Sequence, residues 1–302
     1  MTEADGAPEL ALMPAPRRAE AGAGELGLEG PFEIAWRRGR SAFLERAAAR
    51  FQRDVERLVG EGVLSGRGPP LAIDCGAARR GARPGFPAED YELEVGAEGV
   101  RLSARGPLGV LRGLATLRQL VRVSGPQASL AFVCIEDEPR FVWRGLMIDT
   151  ARHFMPIAAL KRQIDAMEQV KLGVLHLHLS DNEAFRVESR RFPRLHEVAA
   201  RGRYYSQSDI RELVAYASDR GVAVAPEIDV PAHVGAILRA YPELRAAPVD
   251  PNDRYAALNG ALDPSSEATY RFVEDLFGEM AALFPWRYFH LGGDEVEAGA
   301  WD

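Results

Sequence analysis

The stretch Tyr288-Phe-His-Leu-Gly-Gly-Asp-Glu-Val296 joins an apolar strand candidate to two glycines and then to adjacent carboxylates, Asp294 and Glu295. Neighbouring side chains of a regular strand face opposite ways, so two consecutive acids share one site only where the strand ends or bends. Gly292-Gly293 provides the bend. Adjacent acids are common on solvated surfaces, but a surface reading leaves the glycines and His290 unexplained. Two close carboxyls can divide labour, one a general acid with its pKa raised by its charged neighbour and the other kept ionised. Glycoside cleavage requires that division.

Upstream, three more apolar segments end in ionisable residues: Asp149 with Arg152 and His153, His178 with Asp181, and Glu227 with Asp229 and His233. Arg152 just past a strand end suits a hydroxyl-rich or anionic ligand, and a salt bridge to Asp149 or Asp181 is compatible with that use. His233 follows Pro231-Ala232 directly after Asp229, where a packing role is unnatural. His176 and His178 lie two apart and face one side of a strand. This opens a rival reading, a zinc site built from both with Asp181, Asp229 or Asp294. For His176, deeper in its strand, a hydrogen-bonded core position is the better expectation.

The elements that must position these residues fall into two patterns. Residues 138–302 read as four βα units with near-continuous apolar strands, a parallel sheet covered by helices. Ionisable groups at the carboxyl end of every strand fit the mouth of a (β/α)8 TIM-type barrel, of which the first four units would be present. A doubly wound sheet stays open, although Asp149-Thr-Ala-Arg-His-Phe stands where a Gly-rich phosphate loop would follow the first strand. Residues 31–137 read as a smaller α+β domain with a mainly antiparallel sheet, including helices over Ser41 to Val59 and Pro107 to Val121. Residues 1–30 lack periodicity and suggest a loose leader. Cys75 and Cys134 lie in apolar strand candidates and are expected as buried free thiols.

Composition narrows the partners. At 302 residues and 47% hydrophobic, the chain can bury a sizeable core. A net charge of −7 with scattered arginines argues against nucleic acid or anionic membrane. The start has no basic and apolar secretory pattern, and no run approaches the roughly 20 apolar residues of a membrane span, so a cytoplasmic location is expected.

Four motifs in order, Trp143-Arg-Gly-Leu-Met-Ile-Asp-Thr-Ala-Arg-His-Phe154, Leu175-His-Leu-His-Leu-Ser-Asp181, Pro226-Glu-Ile-Asp-Val-Pro-Ala-His233 and His290-Leu-Gly-Gly-Asp-Glu-Val296, resemble those of the glycoside hydrolase family 20 β-N-acetylhexosaminidases. The α+β domain and Pro14-Ala-Pro16 also resemble that family's N-terminal part. The resemblance implies removal of terminal N-acetyl-β-D-hexosamine from oligosaccharides or glycoconjugates by a retaining mechanism. In it the substrate's own acetamido oxygen attacks the anomeric carbon and gives an oxazolinium intermediate. It assigns Glu295 as general acid and then base, Asp294 to the acetamido group, Arg152 to sugar hydroxyls, and Asp181, Asp229 and His233 to a supporting network. It implies no metal and no organic cofactor.

The chain departs from the family pattern in three places. Asp181-Asn182-Glu183 stands where the family often has Asp-Asp-Gln, and Ala232 where it has Gly. The third departure is that the chain ends six residues after Val296, before four further barrel strands, so a fragment of a longer protein is expected. The alternatives are a metal-dependent barrel hydrolase and an inactive sugar-binding remnant.

Overall fold

The computed structural model describes residues 10–60, 62–76, 87–247, 260–296 and 301. In chain order its elements begin with β1 (Arg18–Gly27), β2 (Glu33–Arg38), α1 (Ala42–Val59), β3 (Pro70–Cys75), β4 (Tyr91–Gly96), β5 (Gly99–Ala104), α2 (Pro107–Leu120), β6 (Val121–Ser124) and β7 (Gln127–Asp137). There follow β8 (Gly145–Asp149), α3 (Ile157–Gln169), β9 (Val174–His178), α4 (Arg194–Glu197), α5 (Gln207–Ser218), β10 (Ala223–Glu227), α6 (Gly235–Ala240) and α7 (Glu267–Leu283). The chain divides into two compact units. The first is Met1–Arg144 with Ala166–Leu172 and Asp219–Gly221, and the second is Gly145–Asp165, Gly173–Ser218 and Val222–Asp302.

The first unit is built on a seven-stranded sheet of order β1-β7-β4-β5-β3-β2, with β6 also paired to β7. All its pairings are antiparallel except β2–β3 and β3–β5. Alternation turns Tyr91, Leu93 and Val95 of β4 inward and Glu92 and Glu94 outward. The helix α1 forms where expected: Ser41 Oγ accepts from the Leu44 N–H, and Leu44, Ala47, Phe51, Val55 and Val59 recur on one buried face. The helix α2 opens on Pro107 and lies close on β5, where a Cβ at Gly113 would come 2.2 Å from Leu102 Cδ1.

Two expectations fail in this unit. Residues 18–27 are not a loose leader. They form β1, whose exposed side chains carry no sequence signal because its order comes from backbone pairing with β7. Cys75 is buried but Cys134 is exposed, since it pairs with Glu20 and Glu94 on the outward face of β7 between inward Val133 and Ile135.

The second unit holds a three-stranded parallel sheet of order β10-β9-β8. Ile148, Leu175, Leu177 and Val224, which register puts on one face, are buried. A capping box opens α5: the Ser206 N–H donates to Asp209 Oδ2 and the Asp209 N–H to Ser206 Oγ. The expected fourth strand is shorter than its sequence pattern suggests. Only His290 bridges Glu227, with backbone bonds from the His290 N–H to Pro226 O and from the Val230 N–H to Leu291 O. Gly292 and Gly293 then turn the chain away at φ 68° and 98°. Among the described residues no helix is long and apolar enough to cross a membrane.

Candidate active site

Parallel register sets the first row of the site. Asp149, His178 and Glu227 are the last residues of β8, β9 and β10 and are paired directly, and the bridge to His290 extends the row by one. Residues paired across a sheet share a face, so one row delivers two acids and two imidazoles to one side. His176 faces the same side two residues earlier.

Glu227 is the centre of this row. Its Oε2 lies 2.7 Å from His176 Nε2 and 2.8 Å from His178 Nδ1, and its Oε1 lies 2.9 Å from His290 Nδ1. Burial works against the Glu227 charge, yet the hydrogen bonds from His176 and His178 hold the carboxyl well below the usual range. The other nitrogen of His178, Nε2, lies 2.8 Å from Asp181 Oδ2. Burial alone would lower the His178 pKa, but with a carboxylate at each ring nitrogen the imidazole is raised to about 10.

Asp181 is the second centre, and it is buried. It meets His178, Arg152 Nη2 at 2.8 Å and His233 Nδ1 at 3.3 Å, and it accepts from the Asn182 N–H at 2.6 Å. These partners outweigh its burial and lower its pKa, with His178 the strongest of them. Arg152 is fixed from its other side by Asp149 Oδ2 at 2.8 Å. The loop that carries it is clamped from beneath. Buried Arg186 donates to the carbonyls of Thr150 and Ala151, and Thr150 Oγ1 donates to His178 O.

The third part of the site joins Asp229 to the Gly-Gly-Asp-Glu turn. Asp229 is buried, its own N–H donates to Ser180 Oγ, and its Oδ1 accepts from the Gly293 N–H at 3.0 Å. A side chain at Gly292 is excluded there, since a Cβ would sit 1.8 Å from Asp229 Oδ1. Burial first, and then the carboxyl of Asp294, push Asp229 up to about 6 against the pull of the Gly293 N–H and His233. Glu295 holds a left-handed φ of 50°. Its Oε2 lies 3.0 Å from His233 Nε2, an ion-pair distance that is not aligned as a hydrogen bond. Asp181, His233 and Glu295 thus form a line from a buried carboxylate through an imidazole to a carboxyl whose side chain is 72% exposed.

All six candidate residues, Arg152, Asp181, Asp229, His233, Asp294 and Glu295, are brought together. His176 is hydrogen-bonded and half-buried. The zinc set weighed from sequence, His176 and His178 with an aspartate, is not the grouping found. The ligand atoms of His176, Glu227 and His290 lie within 4.8 Å of one another, as do those of Asp181, Asp229 and His233, among the described residues. Sequence reasoning undervalued Glu227, His178, Ser180 and Arg186. The signal for Glu227 was its position at a strand end level with His178. Nothing local marked Arg186, whose partners are main-chain carbonyls.

A family model described as "Glycosyl hydrolase family 20, catalytic domain" matches residues 141–302, and one for "Glycosyl hydrolase family 20, domain 2" matches residues 9–138. A β-hexosaminidase of Vibrio furnissii is 33% identical, over 99% of this chain and 51% of its own length. β-Hexosaminidase subunit A1 of Dictyostelium discoideum is 41% identical, over 70% of this chain and 40% of its own. Among solved structures, a chitobiase of Flavobacterium johnsoniae is 35% identical with a TM-score of 0.81, covering 95% of this chain and 45% of that one. An exo-β-N-acetylglucosaminidase of Vibrio harveyi in complex with N-acetylglucosamine is 28% identical with a TM-score of 0.82, covering 97% and 48%. The chain therefore spans about half the length of these relatives and solved structures, or less.

Proposed function

Since the chain belongs to glycosyl hydrolase family 20, we propose that its protein removes terminal non-reducing N-acetyl-β-D-hexosamine residues from oligosaccharides or glycoconjugates. The three parallel strands and the bridged segment at His290 are the first four strands of a (β/α)8 barrel in this reading, and the row at their ends is its mouth. Glu295 protonates the leaving glycosidic oxygen as the bond from that oxygen to the anomeric carbon breaks. The substrate's acetamido oxygen forms the new bond to that carbon from the opposite face, giving an oxazolinium. Water then attacks the same carbon, Glu295 takes its proton, and the acetamide is restored with retained configuration. Asp294 orients the acetamido group and balances its developing positive charge. Arg152 holds sugar hydroxyls, since its guanidinium is half-exposed while Asp149 and Asp181 fix its far side.

The observation that carries this reading is the line Asp181–His233–Glu295. A general acid must be held within reach of the leaving oxygen, and an imidazole backed by a buried carboxylate is suited to hold it there. Asp229 supports the turn that presents both acids through the Gly293 N–H. The test is release of a chromophore from an aryl N-acetyl-β-glucosaminide. Glu295→Gln and Asp294→Asn should each lower the rate by orders of magnitude. Undiminished turnover in Glu295→Gln would remove the assignment.

A further inference from the structure

The first unit contains a cavity of about 460 Å³, lined entirely by its own residues. Five cations border it against three carboxylates, Glu89, Asp137 and Glu138. Two of the cations are neutralised one to one. Lys171 Nζ donates to Asp137 Oδ2 at 2.8 Å, and Arg17 pairs with Glu138. Asp137 is further occupied by the Tyr91 hydroxyl, which donates to the same oxygen at 2.9 Å.

The remaining pairing does not balance. Glu89 Oε2 accepts from Arg112 Nε at 2.6 Å and from Arg144 Nη2 at 2.5 Å, so one carboxylate serves two guanidiniums. Arg112 is 2% exposed, its Nη2 donates to Gly221 O, and its Nη1 is buried without a partner among the described residues. A buried donor left unmatched is costly, and here it carries charge. Burial depresses the Arg112 pKa in spite of Glu89, so a second anion beside it would restore what the fold takes away. Arg140, exposed at the cavity rim, lies over the Phe141 ring at 5.7 Å, and no acid pairs with it among the described residues. The cavity thus holds two positive charges in excess, one buried and one at its edge.

We propose that this cavity binds a small organic oxyanion, with Arg112 Nη1 donating to the anionic group from inside and Arg140 closing on it from the rim. Guanidinium groups suit a carboxylate or a phosphate, to which they give charge-assisted N–H donors, here Nη1 of Arg112. The volume is that of a small-molecule pocket and far exceeds a bare phosphate ion, so the anion is carried on a body the size of a monosaccharide. Tyr91, Pro139 and Phe141 supply apolar wall for such a body. The site is independent of the carboxylate row of the second unit and does not rest on the proposed hydrolase activity.

Isothermal titration calorimetry of the 302-residue chain at fixed ionic strength, in phosphate-free buffer, tests this with glucose 1-phosphate, glucuronate and neutral glucose. One or both acids should bind with one-to-one stoichiometry while glucose does not, and the acid that binds identifies the anionic group. Arg112→Lys should weaken binding about tenfold or more, because lysine has no counterpart of the Nη1 donor once its ammonium pairs with Glu89. Arg140→Gln, at an exposed position that leaves the fold intact, should weaken it in the same direction and carries the test alone if Arg112→Lys does not fold. Absence of binding by either acid, equal binding of glucose, or binding unchanged in Arg140→Gln would overturn the proposal.

Discussion

The sheet of the first unit and the parallel sheet of the second differ in what their strands carry. In the first, Leu71, Ile73, Leu93, Leu102, Leu130 and Ile135 are all fully buried, in a core built of apolar side chains. In the second, one face is just as apolar, but the other presents Asp149, His178 and Glu227 in a row and leaves Met147 55% exposed. Apolar burial is non-directional, and any side chain of suitable volume contributes to it. A charged row is directional, since each imidazole there has a particular carboxylate to meet. Damage to the first sheet should therefore read out as lost stability, and damage to the second as moved proton affinities.

The largest expected effect tests the first half of that contrast. Leu102→Ala removes a fully buried side chain and should lower the unfolding free energy by about 2–5 kcal/mol, measured by urea denaturation. The His178 titration should stay where it is. A His178 pKa that moved with Leu102→Ala would show that the two regions are not separable. A smaller loss is expected for Gly292→Ala. The left-handed backbone alone costs about 1–2 kcal/mol for a residue with a Cβ, and the added methyl would overlap Asp229 Oδ1. Turnover should fall together with stability, and unchanged kinetics would mean that the turn tolerates a shift of Asp229.

The same contrast explains what the sequence made legible. Helical spacing locates α1 and α2 to within a residue or two, because each buries one regular stripe. The edge strand β1 was hidden because its identity lies in hydrogen bonds to β7 and not in its Ala, Gly and Glu side chains. In the site, Asp181, His233 and Glu295 were legible as residue types at strand ends. That Glu227 would gather three imidazoles was not, because it depends on the register of β9 against β10 and on a single bridge to His290. Register is a long-range property that no local window contains.

The charged row is then tested by titration. His178 should titrate near 10 by NMR of its ring, and Asp181→Asn should lower that value by removing one of its two carboxylates. The folded pKa lies above the ordinary 6.5. The pair therefore contributes its full stability below about pH 6.5, and the contribution is lost as pH rises through about 10. A His178 that stayed near 10 without Asp181 would assign the shift to Glu227 alone.

The smallest effect is the one closest to the proposed chemistry. Asp229 should titrate near 6 in a carboxyl-carbon NMR experiment, above its ordinary 3.8, because burial and the Asp294 carboxyl both disfavour its ionised form. The folded state then holds this proton more tightly than the unfolded one. The contribution to stability is present below about pH 3.8 and is lost as pH rises through about 6. Asp294→Asn should bring the Asp229 value down only part of the way, since burial, the larger cause, persists. An Asp229 value unmoved by that substitution would mean that the two carboxyls do not sense each other. Burial alone would then account for the raised Asp229, and the turn after Gly292-Gly293 would carry Asp294 clear of it.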